Sequence, residues 1–263
     1  MLVAALDTAT LTLSCALVDL APGAPPHLRC DRTIVAGAAG ERRPGVGGFA
    51  PRGHSLELPQ ALVDLLQAEG LAIPDVEGFA VGLGPGSFTG LRIGLATWKG
   101  LAYANKRPIA GASSLAAMAL AAAPEAEDGA LLVPLLDARK GEVYAGFYRA
   151  RGGHIVEIAD EAALAPPALR ARLETLAAQG TRPLVFGEGH DAYAEALSGI
   201  PRLATAIATP PAHAVAAAVA ERLATAAYDP QALFALEPHY VRASEAELKF
   251  PKGLGPGAGE KVR

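Results

Sequence analysis

One pattern occurs twice in this chain and limits what it can become. LVAALD (2–7) is an apolar run of strand length that closes on Asp7, turns through Thr8–Thr10, and resumes as LTLSCALVD (11–19). In that second run Leu11, Leu13, Cys15 and Leu17 alternate with smaller or polar residues, the mark of a paired strand. LLVPLLDAR (131–139), a Lys140-Gly141 turn and EVYAGFYRA (142–150) repeat the order of strand, aspartate, turn, strand, with Asp137 in the place of Asp7. Two such hairpins in 263 residues predict two topologically similar α/β halves rather than one continuous sheet.

The stretches between them fill in the halves. A third strand is expected around His27–Val35, followed by a Gly-rich surface loop, AGAAGERRPGVGGFAPRG (36–53), with little to bury. Residues 55–69 read as an amphipathic helix, with Leu58, Leu62, Leu65, Leu66 and Glu69 on one stripe, Ser55 as its cap and Pro59 in its first turn. A strand at 78–83 leads through GPGSFTG into a second helix that runs to about Ala104. Further helices are expected at 167–178, 191–198 and 212–228, with a strand at 183–187 between the first two. The tail after Val241 has the composition of a disordered end.

Several function classes are disfavoured. Two cysteines, Cys15 and Cys30, are too few for a disulfide framework or a zinc cluster and fit a reducing compartment. The start lacks the basic region of a signal peptide, and the apolar run at 115–123 is far short of the roughly 18 residues of a membrane span. A formal net charge of -4 with no lysine or arginine cluster is a poor match to a protein that binds nucleic acid unaided.

Two stretches bear on chemistry. GLGPGSFTGLRIG (82–94) joins a strand to a helix, so its amides and the helix dipole suit an anion, yet it carries no phosphate-binding lysine. The same glycines serve equally as a tight structural turn in which Ser87 or Thr89 caps the helix. The Asp7-Thr8-Ala9-Thr10 turn has the shape of a nucleotide-binding hairpin, but Thr8 puts a Cβ where a phosphate would lie. Asp7, Thr8, Thr10 and Ser87 are therefore vestigial candidates, and a capped hairpin turn explains them as well. No HExxH, GxSxG or SxxK motif occurs, no catalytic constellation is visible, and no metal or cofactor is expected. Asp137 to Lys140 with Glu142 reads as a charged turn. Small residues at Gly90, Gly94, Ala96, Gly100 and Ala104 run along the second helix and permit close helix packing, against the chain's own sheet or against a partner.

ALDTATLTLSCALVD, HSLELPQALVDLL, GLGPGSFTGLRIGLATWKGLA, LLDARKGEVYAGFY and PHYVR, in this order, resemble the TsaB (YeaZ) family from residue 1 to about 242. The Gly-rich segment at 36–50 and the tail depart from it. The resemblance implies an α/β fold of two ribonuclease-H-like lobes of the actin-like ATPase superfamily, with mixed sheets and flanking helices. The lobes would be 1–107 and 108–242, the helix at 212–228 packing on either, ahead of a disordered tail at 243–263. It implies a cytoplasmic, non-catalytic activator of the TsaD threonylcarbamoyl transferase in forming N6-threonylcarbamoyladenosine at position 37 of tRNAs reading ANN codons. TsaD would be the heterodimer partner, a TsaE-type ATPase would join, and tRNA would be met only through the complex. TsaD's metal-binding HxxxH has no counterpart, since His54 is followed at the fourth position by Leu58. Helices 55–69 and 88–104 become the expected partner surface, with Leu62, Leu65, Leu66, Arg92, Leu95 and Lys99 as contributors and a homodimer through the same helices in the partner's absence. The competing reading is an ATP- and Mg-dependent hydrolase or kinase of the same fold using Asp7 and Asp137.

Overall fold

The computed structural model describes residues 1–35 and 54–242; the expectations for the Gly-rich segment and for the tail from 243 lie outside the described residues. Both hairpins form. β1 (Leu2–Asp7), β2 (Thr12–Asp19) and β3 (His27–Val35) make an antiparallel meander, and β4 (Gly78–Gly82) and β5 (Ile109–Ala112) add in parallel on the other side of β1, in the order β3-β2-β1-β4-β5. The second sheet repeats that order with β6 (Leu131–Arg139), β7 (Glu142–Arg151), β8 (His154–Leu164) and β9 (Pro183–Phe186), as β8-β7-β6-β9. Where the first sheet has a fifth strand, the second has only a parallel bridge between Val185 and Arg202. These are the two similar mixed sheets that the repeated hairpin predicts.

Seven helices flank the described sheets: α1 (His54–Ala68), α2 (Phe88–Asn105), α3 (Ser114–Ala122), α4 (Pro166–Ala178), α5 (Glu188–Ala192), α6 (Ala212–Thr225) and α7 (Pro230–Ala235). α1 and α2 cover one face of the first sheet, where Leu58, Leu62, Leu66 and Trp98 meet Leu6, Leu13, Leu17 and Phe79. Trp98 buries its ring edge-on to Phe79 and donates its indole N–H to the Ala4 carbonyl, so its polar atom is satisfied inside the core. α1 already includes His54, which moves Pro59 beyond the first turn.

α6 covers the opposite face through Val215, Val219 and Leu223 against Val3, Ala5, Val18 and Ala80. The helix whose lobe was open in the sequence therefore belongs to the first. α3 lies between the two sheets: Leu115, Met118 and Ala122 pack on Leu132, Leu136 and Tyr148, and Ala117 joins the core under α6. A helix clamped on both sides can be apolar all round, which accounts for the LAAMALAAA run.

Two expectations are corrected, and one strand is added. A division at 107/108 would separate β5 from the sheet it completes, so the first lobe extends to Ala112. The helix expected at 191–198 is instead α5 at 188–192 followed by turns, because of those eight residues only Leu197 is buried and one contact cannot hold a helix of that length. β8 was absent from the sequence reading because it is an edge strand with both faces partly wet and no clean alternation.

Candidate functional site

The first hairpin turn is closed. Asp7 is 1% exposed; its Oδ1 accepts the Ala9 N–H at 2.8 Å and its Oδ2 accepts the Ser114 hydroxyl at 2.6 Å. Burial pushes this carboxyl up to about 6, against the lowering effect of those two hydrogen bonds. Thr8 donates its hydroxyl to the Gly90 carbonyl at 2.9 Å, and Thr10 accepts the Thr12 N–H at 3.0 Å. The loop after β4 presses onto this turn: a Cβ at Gly86 would collide with the Ala9 carbonyl, and the Ser87 N–H donates to that same oxygen at 2.6 Å. Ser87 caps α2 by accepting the Gly90 N–H at 3.2 Å. The Gly84, Ser87 and Gly90 amides are thus already used, as in the structural-turn reading of GPGSFTG. The structure brings Asp7, Thr8, Thr10 and Ser87 together, but as a packed joint.

Asp137 makes a local arrangement of its own. It accepts the Arg139 N–H at 2.8 Å, pairs with the Arg139 guanidinium at 3.1 Å and lies 3.4 Å from the Tyr193 hydroxyl. Both aspartates proposed for a hydrolase or kinase are therefore engaged, each by an amide of its own turn and by a hydroxyl from a distant segment, and that reading is not favoured. Among the described residues no group of three or more His, Cys, Asp or Glu side chains stands where it could hold a metal.

The two serines at the start of α3 join the lobes. Ser114 accepts the Gly84 N–H and donates to Asp7 in the first lobe. Ser113 caps α3 through the Leu115 and Ala116 amides and donates to Glu161 on β8. Glu161 is shut in with Tyr148, whose hydroxyl also donates to it; burial raises the carboxyl above the usual carboxylate range. The sequence reading passed over Glu161, Tyr148 and His239. Tyr148 and His239 lie within the LLDARKGEVYAGFY and PHYVR strings, and nothing contiguous in the chain ties either to Glu161.

The outer face of α2 is the remaining candidate. Leu62, Leu65, Leu66 and Leu95, expected as partner contacts, are instead buried in the chain's own core, because α1 and α2 turn their leucine stripes toward the sheet. Arg92 and Lys99 do lie at the surface, facing the chain's own C-terminal segment: Arg92 Nε donates to the Tyr240 hydroxyl at 3.0 Å while its guanidinium sits 3.9 Å above the Phe88 ring of α2, and Lys99 Nζ donates to the Phe234 carbonyl at 3.0 Å. Partial burial lowers the Lys99 amine from its usual value. The small-residue ridge splits. Cβ atoms at Gly90 and Gly94 would strike Thr8, whereas one at Gly100 would meet no atom within 4 Å. Ala96, Gly100 and Ala104 are exposed. Half of the ridge seats the helix on its hairpin, and half faces outward.

The molecule is thus a two-sheet α/β protein with a sealed first hairpin and one helix face left open. The family model described as "TsaD: tRNA N6-adenosine threonylcarbamoyltransferase" matches residues 40–250, and the chain belongs to that family. Within it the chain is similar to proteins called "tRNA threonylcarbamoyladenosine biosynthesis protein TsaB": 36% identity over 133 residues with that of Escherichia coli K12, covering 50% of this chain and 57% of the relative. With that of Bacillus subtilis 168 it shares 36% over 143 residues, covering 54% and 59%. The matches thus span somewhat over half the length of these curated relatives. A crystal structure of a Pseudomonas aeruginosa protein described as similar to peptidase YEAZ superposes with a TM-score of 0.70 at 29% identity, covering 92% of this chain and 99% of that one. The TsaB/YeaZ resemblance read from the motifs stands. No described helix is long and apolar enough to cross a membrane.

Proposed function

We propose that the chain is a cytoplasmic, non-catalytic subunit in the synthesis of N6-threonylcarbamoyladenosine at position 37 of tRNAs reading ANN codons, acting by pairing with a TsaD-type transferase and activating it. The observation that carries this reading is the exposed lane on α2. At the roughly 100° step of an α-helix, Thr89, Ile93, Ala96, Gly100 and Ala104 share one side, and the ridge left open at Gly100 lets a second helix backbone come close. The sealed Asp7 turn supports a binding role rather than a chemical one. Family membership supports the partner, since the family model carries the transferase's name. In this reading a TsaE-type ATPase joins the pair, tRNA is met through the complex, and the free chain forms a homodimer through the same face.

Ala96→Arg places a long cation on that lane without touching the core. Co-expressed with the transferase, the variant is expected to fold, to lose co-purification, and to leave threonylcarbamoyladenosine in tRNA near the level seen without this subunit. A folded variant that still co-purifies in full removes α2 from the reading.

A further inference from the structure

The C-terminal stretch from Asp229 to Arg242 is laid along α2 from end to end. Leu233 enters the core beneath it, Phe234 meets Tyr103 with ring centroids 5.6 Å apart, and Tyr240 meets Phe88 at 5.3 Å while its hydroxyl accepts from Arg92 Nε at 3.0 Å. Phe88, Arg92, Lys99 and Tyr103 form the helical row next to the open lane, so this segment is one wall of the lane and α1 packs on the other flank of α2. Phe234 at 64% exposed and Tyr240 at 44% keep much of their rings free above α2.

The wall is fastened to the other lobe. The His239 N–H donates to the Leu83 carbonyl at 2.8 Å in the first lobe, while its Nε2 stands 3.3 Å from Glu161 Oε2 on β8. Arg242 reaches Glu142 on β7 at 2.9 Å. The Glu161 side chain is 4% exposed; its Oε1 takes the Ser113 and Tyr148 hydroxyls, and its Oε2 accepts no hydrogen bond from the described residues, the His239 imidazole standing 3.3 Å away. A buried carboxylate oxygen left alone is costly, so the segment's histidine is held to it.

We propose that residues 236–242 are a strap forming part of the docking surface for the transferase's helix, and that Glu161 in the second lobe is a positioning residue that sets the strap's seat on α2. This rests on the reading of α2's outer face as the docking site. Being buried, Glu161 cannot touch a partner; any influence it has on docking travels through His239. The contact between the lobes thereby bears on how well the lane accepts a helix.

The test uses the full chain with Glu161→Gln, His239→Gln and the double variant, urea unfolding serving to confirm that each is folded. In the free protein, exchange of the backbone amide at position 239, which donates to the Leu83 carbonyl, is expected to quicken at least about tenfold in both single variants, with β1 exchange unchanged. Affinity for the purified transferase is expected to fall about tenfold in each, with no further loss in the double variant, because both changes act through one contact. A position-239 amide as protected in His239→Gln as in the parent chain would overturn the proposal even if Glu161→Gln failed to fold. So would additive losses in the double variant, or full affinity in His239→Gln where Ala96→Arg has lost binding. Ala96→Arg that keeps its affinity sinks the docking face and the strap's part in it, and the exchange measurement then decides whether Glu161 and His239 seat the strap on α2.

Discussion

At the scale of single residues, the turn between β1 and β2 shows how a side chain keeps the look of a catalytic group while serving structure. Asp7 stands at the end of the first strand, but the Ser114 hydroxyl and the Ala9 amide take its oxygens and no water reaches it. Its ordinary value is near 3.8 and burial lifts it to about 6, so between those two pH values the native chain holds a proton that the unfolded chain has released. The stability this group contributes is therefore fullest below pH 3.8, declines as pH rises toward 6, and stays flat above, a loss on the order of 3 kcal/mol. Asp7→Asn keeps the acceptor for Ala9 and offers Ser114 a donor. The variant is expected to be about 1–3 kcal/mol more stable at pH 7 and to lose the slope between pH 4 and 6 in urea unfolding. A variant less stable than the parent at pH 7 would mean that the ionised carboxylate is what the joint requires. The aspartate's position was legible in the sequence. Its burial was not, because Ser114 and the loop that close over it come from 75 or more residues downstream.

At the scale of elements, α2 carries two kinds of small residue that look alike in one dimension. Gly94 allows the helix to touch Thr8, and Gly100 touches nothing. Gly94→Ala is expected to cost about 1–3 kcal/mol as the helix is pushed off the hairpin. Gly100→Ala is expected to add about 0.5–1 kcal/mol, since alanine is the better helix former and its methyl meets no neighbour. Chemical denaturation of the two variants side by side checks both, and equal effects would show that the two glycines are not distinguished by packing. The four-residue spacing revealed the ridge but not where it changes from contact to open surface. The leucine stripes misled in the same way: 3.6-residue periodicity marks a face that is covered, and what covers it is decided by the sheet.

At the scale of the whole molecule, the two lobes are not independent blocks. α6 follows the entire second sheet in sequence yet seals the first, and α3 is shared between both. Leu223→Ala, in the later part of the chain, is expected to destabilise the first lobe by about 2–5 kcal/mol. Amide exchange should quicken along β1 and β4 and leave β6 and β7 as they were; the reverse pattern would assign α6 to the other sheet.

The sequence by itself determined the repeated hairpins, the strand-to-helix turn after β4 and the kinship with the TsaB family, because these rest on short-range periodicity and on motifs that are contiguous in the chain. Tertiary structure alone decided that Asp7 is sealed, that the expected contact leucines are core, that half a glycine ridge is open, and that Glu161 and His239 meet. Each of those outcomes depends on which distant segment arrives at a given surface. A periodic pattern records that a face is to be covered and is silent about what covers it.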